Sequence, residues 1–142
     1  MKKNQIVLLA IILLFIATAA IYTWTTTARP DPETGVKVWI AAVNDRDYAR
    51  IYDLTPMEIR HQISRDDFIK EQEANPLLAS GNSFDSYIII QRTVSGDNSI
   101  LTAQLVLATH DSGNSTSKKI PLYLKFIEHF ENGEWKVWTT EP

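Results

Sequence analysis

From Glu33 onward, Val36, Trp39, Ile40 and Val43 recur at helical spacing with polar residues between them, which predicts one amphipathic helix. Asn44-Asp45-Arg46-Asp47 interrupts it. A second short helix opens at about Asp47, turns Tyr48, Ile51 and Tyr52 to one side, and stops at Thr55-Pro56, because the residue before a proline is pushed out of helical geometry. Met57 to Ile63 has room for a further turn or two. Ser64-Arg65-Asp66-Asp67 has the form of an N-cap with an acidic first turn, predicting a helix to about Glu73 that buries Phe68 and Ile69, with Asn75-Pro76 ending it. Leu77 to Asn82 is expected to be loop.

The period then changes from helical to alternating. Phe84 to Val94 is rich in Ile and Tyr, Ser95-Gly96-Asp97-Asn98 is a turn, and Ile100 to Thr109 alternates Leu101, Ala103, Leu105 and Leu107 with polar or small residues. A polar loop from His110 to Ser117 leads into the longest stretch, Lys118 to Trp138. Asn132-Gly133 divides that stretch into two strands, since both central positions of a type I′ turn need positive φ, which Asn and Gly tolerate. The expected fold class is therefore α+β: amphipathic helices packed on a curved four-stranded antiparallel meander.

With Asn132 and Gly133 alone as the loop, Glu131 faces Glu134, Phe130 faces Trp135, Glu128 faces Val137 and Phe126 faces Thr139. Leu122, Leu124, Phe126, Phe130, Trp135 and Val137 then share the core face. Tyr123, Lys125, Ile127, His129, Lys136 and Trp138 share the other. Glu128 is the odd member of the core face, because an unpaired buried carboxylate is costly unless it stays protonated. Three placements are open: it lines a wet pocket, it lies at the rim in solvent, or a three-residue loop with Gly133 in a bulge sets it opposite Lys136 as a charge pair. Glu128 and Trp135 are thus the candidate pocket residues, and Tyr123 and Trp138 on the outer face mark a candidate partner surface.

Ahead of all this lies an uncharged run from Asn4 to Ala28, apolar from Ile6 to Tyr22, behind Lys2 and Lys3. It is long enough to cross the hydrocarbon of a bilayer as a helix, with Tyr22 and Trp24 at the interface. Ala17-Thr18-Ala19 is also a signal-peptidase pattern, so a cleaved signal is the alternative to an anchor. The basic N-terminal flank predicts a cytoplasmic N-terminus with the domain outside the cytoplasm. The expected organisation is residues 1–28 as anchor or signal peptide, 29–32 as a proline-containing linker, and 33–142 as an extracytoplasmic domain.

Composition narrows the function. The formal charge is −3, and beyond the apolar run twelve basic residues meet 17 acidic ones, so no basic stripe exists for nucleic acid. There are no cysteines, hence no disulfide, thiolate metal site, cysteine nucleophile or lipoprotein anchor. His61, His110 and His129 are far apart and lack partners at metal-ligand spacing, so neither a metal nor another cofactor is expected. No nucleophile elbow or phosphate-cradling loop is present, and Asp66-Asp67 is explained by helix-terminus electrostatics. Asn114-Ser115-Thr116 fits the N-glycosylation acceptor pattern in the polar loop.

Val38-Trp39-Ile40-Ala41-Ala42-Val43 leading to Asp47-Tyr48-Ala49-Arg50-Ile51-Tyr52-Asp53-Leu54, the helix opened by Ser64, and the ending Glu131-Asn132-Gly133-Glu134-Trp135-Lys136-Val137 together resemble the nuclear-transport-factor-two-like, or cystatin-like, superfamily, and within it small exported domains. The resemblance implies a curved sheet wrapped by helices, often paired as a dimer, with a cavity that holds a small molecule or is filled. Some members are ketosteroid isomerase-like enzymes or dehydratases that use Asp, Tyr or His inside the cavity. Their catalytic motifs find no match at positions here, so no catalytic residue carries over. Others are membrane-tethered scaffolds of conjugation and secretion machines. Sequence and resemblance lead to a membrane-anchored extracytoplasmic binding or assembly domain with a protein partner or a second copy, and, as the alternative, to a small-molecule pocket protein.

Overall fold

A computed structural model of the chain describes residues 16–18, 29–78, 81–110 and 117–140. The chain divides into two units, Met1–Pro30 and Asp31–Pro142, and the second holds the described helices and strands from Glu33 onward. The apolar run expected to be an anchor or signal, and Asn114, lie outside the described residues apart from 16–18. Among the described residues no helix is long and apolar enough to cross a membrane.

Helix α1 spans Glu33–Asn44, and its start is set by Asp31, whose Oδ1 accepts the Glu33 N–H at 2.8 Å. Val36, Trp39, Ile40 and Val43 are buried along one face, as their spacing requires. Arg46, at φ 55°, reverses the chain. Asp47 then caps α2 (Tyr48–Leu54) by accepting the Arg50 N–H at 2.9 Å. The short α3 (Met57–Arg60) follows Pro56. Ser64 caps α4 (Arg65–Glu73), its Oγ accepting the Asp67 N–H at 3.2 Å while donating to Asp67 Oδ2 at 2.7 Å. Past Asn75 the expected loop contains a 3-10 turn, Pro76–Leu78, that buries Leu78.

Four strands, β1 (Ser83–Ser95), β2 (Asn98–His110), β3 (Ser117–Glu131) and β4 (Glu134–Thr140), form one antiparallel sheet in sequence order. The β3–β4 register is the two-residue one, with Glu131 opposite Glu134 and Phe130 opposite Trp135, and Asn132 and Gly133 take φ of 51° and 84°. Two register shifts in β1, at Asp85 and Ile90, put Phe84, Tyr87, Ile89 and Arg92 on the inner face at uneven spacing. Asn44 closes the seam between α1 and β1: its side-chain amide donates to Phe84 O at 3.0 Å and accepts the Phe84 N–H at 2.8 Å, as a neighbouring strand would.

The core lies between the helices and the inner sheet face. Val36, Trp39, Ile51, Leu54 and Phe68 meet Phe84, Leu101, Ala103, Leu105, Leu124, Phe126 and Val137. Trp39 stands edge-on to Phe126 at 5.4 Å between ring centres, and Tyr52 likewise meets Phe68 at 5.4 Å.

The helices also reach past the sheet edge. Lys136 belongs to the outer face by register, yet it is only 8% exposed, because the end of α2 covers it. Its Nζ donates to Asp53 O and to Glu134 Oε2, both at 3.0 Å. Arg50 pairs with Glu134 at 3.6 Å, Glu131 Oε1 accepts the Met57 N–H at 3.2 Å, and Arg60 pairs with Glu131 at 3.9 Å. The helical segment is thereby fastened around the tip of the last hairpin.

Candidate functional site

The two candidate pocket residues lie deep in the molecule. Trp135 is buried and stacks edge-on with Phe130 at 5.2 Å. Glu128 is 1% exposed, which removes the rim placement, and the two-residue loop sets it opposite Val137, which removes the Lys136 pair. Gly35, in the first turn of α1, makes the space. A Cβ on it would stand 2.7 Å from Glu128 Oε1, 2.9 Å from Trp135 Cβ and 3.0 Å from Val137 Cγ2. A helix carrying any side chain there would have to lift off the sheet.

Ser99, opposite Glu128 on β2, is equally buried. Its hydroxyl lies close enough to favour ionisation of the carboxyl, yet neither that hydroxyl nor either carboxyl oxygen completes a hydrogen bond of good geometry. Burial dominates and pushes the Glu128 pKa up to about 8, against the opposing pull of Ser99 and of the Arg92 charge. Arg92 is itself held by Asp31 at 2.7 Å, and that ion pair and hydrogen bond keep the Asp31 carboxyl below its usual range. Next along the helix, Tyr87 donates its hydroxyl to Glu33 Oε1 at 2.8 Å. Burial first, and this bond second, push its phenol up to about 12. The first turn of α1 is thus seated on the sheet by Asp31–Arg92 and Glu33–Tyr87 at its rim, with a neutral carboxylic acid underneath.

The outer face has a different character. Ile100, Ile127 and Trp138 sit side by side across β2, β3 and β4 in register, and each is 36–44% exposed. Tyr123 and Ile88 add further exposed apolar area. Between them the face carries Gln91, Thr93, Thr102, Gln104, Val106 and Pro121. Its charges are mostly paired: Lys119 with Asp85 at 2.9 Å and, at the hairpin tip, Lys136 with Glu134 at 3.0 Å and Glu131 with Arg60 at 3.9 Å, while Lys125 is left. Charged residues make up 22% of the chain, so a stretch of sheet face whose unpaired charge is Lys125 is not an ordinary solvated one.

At the hairpin end of that face α3 overhangs the sheet and leaves a cavity of about 520 Å³ lined by Pro56, Glu58, Ile59, Asn98, Ile127, His129 and Trp138 together with Glu128. Glu128 contributes strand backbone there, because its carboxyl lies on the opposite face against Gly35. His129 Nδ1 is 2.9 Å from Asn98 Oδ1. The structure therefore separates Glu128 from the open cavity and brings Trp138 into it, while Tyr123 stays further along the same face. His61 is exposed, well apart in sequence and element from His129.

No protein-family model matches this chain, and a search of the curated proteins returns no match. Gly35, Ile100 and Ile127 are residues that sequence reasoning did not single out for these sites, and Lys136 entered only as a partner of Glu128, which it does not meet. The Ile100–Ile127 pairing was recoverable only from the β2–β3 register, which the long loop after His110 does not specify.

Proposed function

We propose that the chain is a membrane-anchored extracytoplasmic domain of the nuclear-transport-factor-two-like kind, non-enzymatic, that assembles with a protein partner through its outer sheet face. The observation that carries this reading is the in-register row Ile100–Ile127–Trp138 on a face whose remaining charge is Lys125. Exposed aromatic and branched side chains with few charges are the composition of an interface centre. The surface that fits it is an apolar, uncharged sheet or helix face of another protein, and aligned face-to-face packing of sheets is one such arrangement. The test uses the full chain in its native membrane. Ile127→Ser with Trp138→Ser is expected to reduce the chain from a larger assembly to its own mass on native gels, with thermal unfolding little changed. An assembly of unchanged size in the double variant would refute the proposal.

A second reading, a small-molecule pocket protein acting as carrier or as an isomerase- or dehydratase-like enzyme, is favoured by the cavity of about 520 Å³, a size usual for small-molecule sites. Its apolar walls Pro56, Ile59, Ile127 and Trp138 and its polar pair Asn98–His129 suit a mostly apolar ligand with one hydrogen-bonding end. A compound released from the purified chain on denaturation, and lost from Trp138→Ala, would favour this reading over the first.

A further inference from the structure

Among the described residues three stretches of strand edge lie open in this sheet, and two of them are blunted. The free edge of β1 is broken by register shifts at Asp85 and Ile90. β3 runs past β4, which pairs only with Lys125–Glu131, so its first half is uncovered on that side. Even-numbered residues of β3 bond towards β2, as the Phe130 N–H to Asp97 O bond of 2.8 Å shows, so odd-numbered ones face the open side. Pro121 is one of those and has no N–H to offer, and Lys118 and Lys119 stand beside it.

The third stretch lacks such protection. Glu134, Lys136 and Trp138 are bonded to β3 in the two-residue hairpin, so the N–H and C=O groups of Val137 and Thr139 point away from the sheet. The end of α2 covers β4 as far as Lys136. Beyond it the edge opens into a mostly polar cleft of about 220 Å³ lined by Thr55, Gln72, Asn75, Val137, Trp138 and Thr139 and by the buried Trp39, Ile51 and Phe68. It is smaller than the roughly 300–1,000 Å³ of small-molecule sites. Its chemistry is that of a strand edge facing carboxamides, without a charged side chain in its walls.

We propose that this cleft receives an extended polypeptide segment of a partner, which adds to the sheet beside β4. The added segment takes two ladder positions, with its backbone bonded to Val137 and Thr139. One of its side chains points to the buried apolar residues, and its outer polar groups meet Gln72 and Asn75. This surface meets the outer face invoked above only at Trp138, since β-strand addition uses backbone groups in the plane of the sheet.

The experiment selects binders from a random library of linear peptides on the full chain held in detergent micelles, then maps them by amide hydrogen exchange. The expected binders slow exchange at the Val137 and Thr139 amides and lose binding when alternate peptide nitrogens are methylated. Thr139→Pro removes an edge N–H without touching the β3 ladder, and Gln72→Ala removes one wall amide. Each is expected to weaken binding about tenfold, the loss of one hydrogen bond. Should Thr139→Pro fail to fold, Gln72→Ala and the exchange map decide. Absence of enriched peptides, protection at other strands, or tenacious binding by the folded variants would overturn the proposal. So would a concentration-dependent dimer dissolved by Thr139→Pro, which would give the edge to a second copy.

Discussion

Glu128 is the side chain that ties the stability of this fold to pH. Its folded pKa of about 8 compares with 4.5 for a free glutamate. Below pH 4.5 it is protonated whether or not the chain is folded, and it leaves stability unchanged. Between 4.5 and 8 folding must take up a proton, so stability falls as pH rises, and above 8 the loss is complete. The full difference is of the order of 5 kcal/mol, at about 1.4 kcal/mol per pH unit. Glu128→Gln is expected to flatten that slope, so that urea midpoints of wild type and variant diverge steadily from pH 5 to about 8. Gly35→Ala tests the contact from the other side. Alanine is the better helix former by about 1 kcal/mol, yet here it is expected to destabilise by roughly 1–3 kcal/mol through overpacking. Its Cβ would press on Glu128, Trp135 and Val137, and a lowered melting temperature would be the measure.

Among the elements, the last hairpin organises the rest. Its turn needs φ of 84° at Gly133, where no neighbouring atom crowds the position, so Gly133→Ala isolates the backbone term. A loss of about 1 kcal/mol in chemical denaturation is expected. The hairpin tip in turn holds α2 and α3 through Lys136, Glu134 and Glu131. Lys136 donates to Asp53 O, the carbonyl near the end of α2, where a cation also suits the helix dipole. Lys136→Met keeps the stem and removes the ammonium. Faster amide exchange in α2 and α3, with β1 and β2 unchanged, is the expected outcome.

For the whole molecule, one sheet has two faces of different character. The inner face is consumed by the helices, and Glu128 and Ser99 are the polar pair sealed on it under α1. The outer face and the open end of β4 remain available for association. The two proposals are separable: Ile100→Ser with Ile127→Ser, which spares the cleft residue Trp138, is expected to shrink the native assembly while leaving peptide addition at Val137 and Thr139 intact, and Thr139→Pro is expected to do the converse. Native electrophoresis and peptide binding measured on the same variants distinguish them. If either change abolished both, the surfaces would act as one.

Local chemistry alone determined much of this. Asn132-Gly133 marked the turn, whereas the choice of the two-residue loop over a three-residue bulged one, and with it the register of β3 on β4, was made by the folded structure. Asp47, Ser64 and Pro56 marked helix boundaries, because caps and prolines act on the nearest few backbone groups. The apolar spacing of α1 and of Leu101 to Leu107 assigned the buried faces. Glu128 was recognisable as an anomaly, but its fate depended on Gly35, 93 positions earlier, and no local rule connects the two. Lys136 was assigned to the outer face, as the register has it, but its burial there came from α2 wrapping the hairpin tip, which no local rule gives. The bulges in β1, the Ile100–Ile127–Trp138 row and the open end of β4 likewise arose only when distant segments met. Short-range stereochemistry is written in neighbouring residues, whereas who covers whom is a property of packing across the chain.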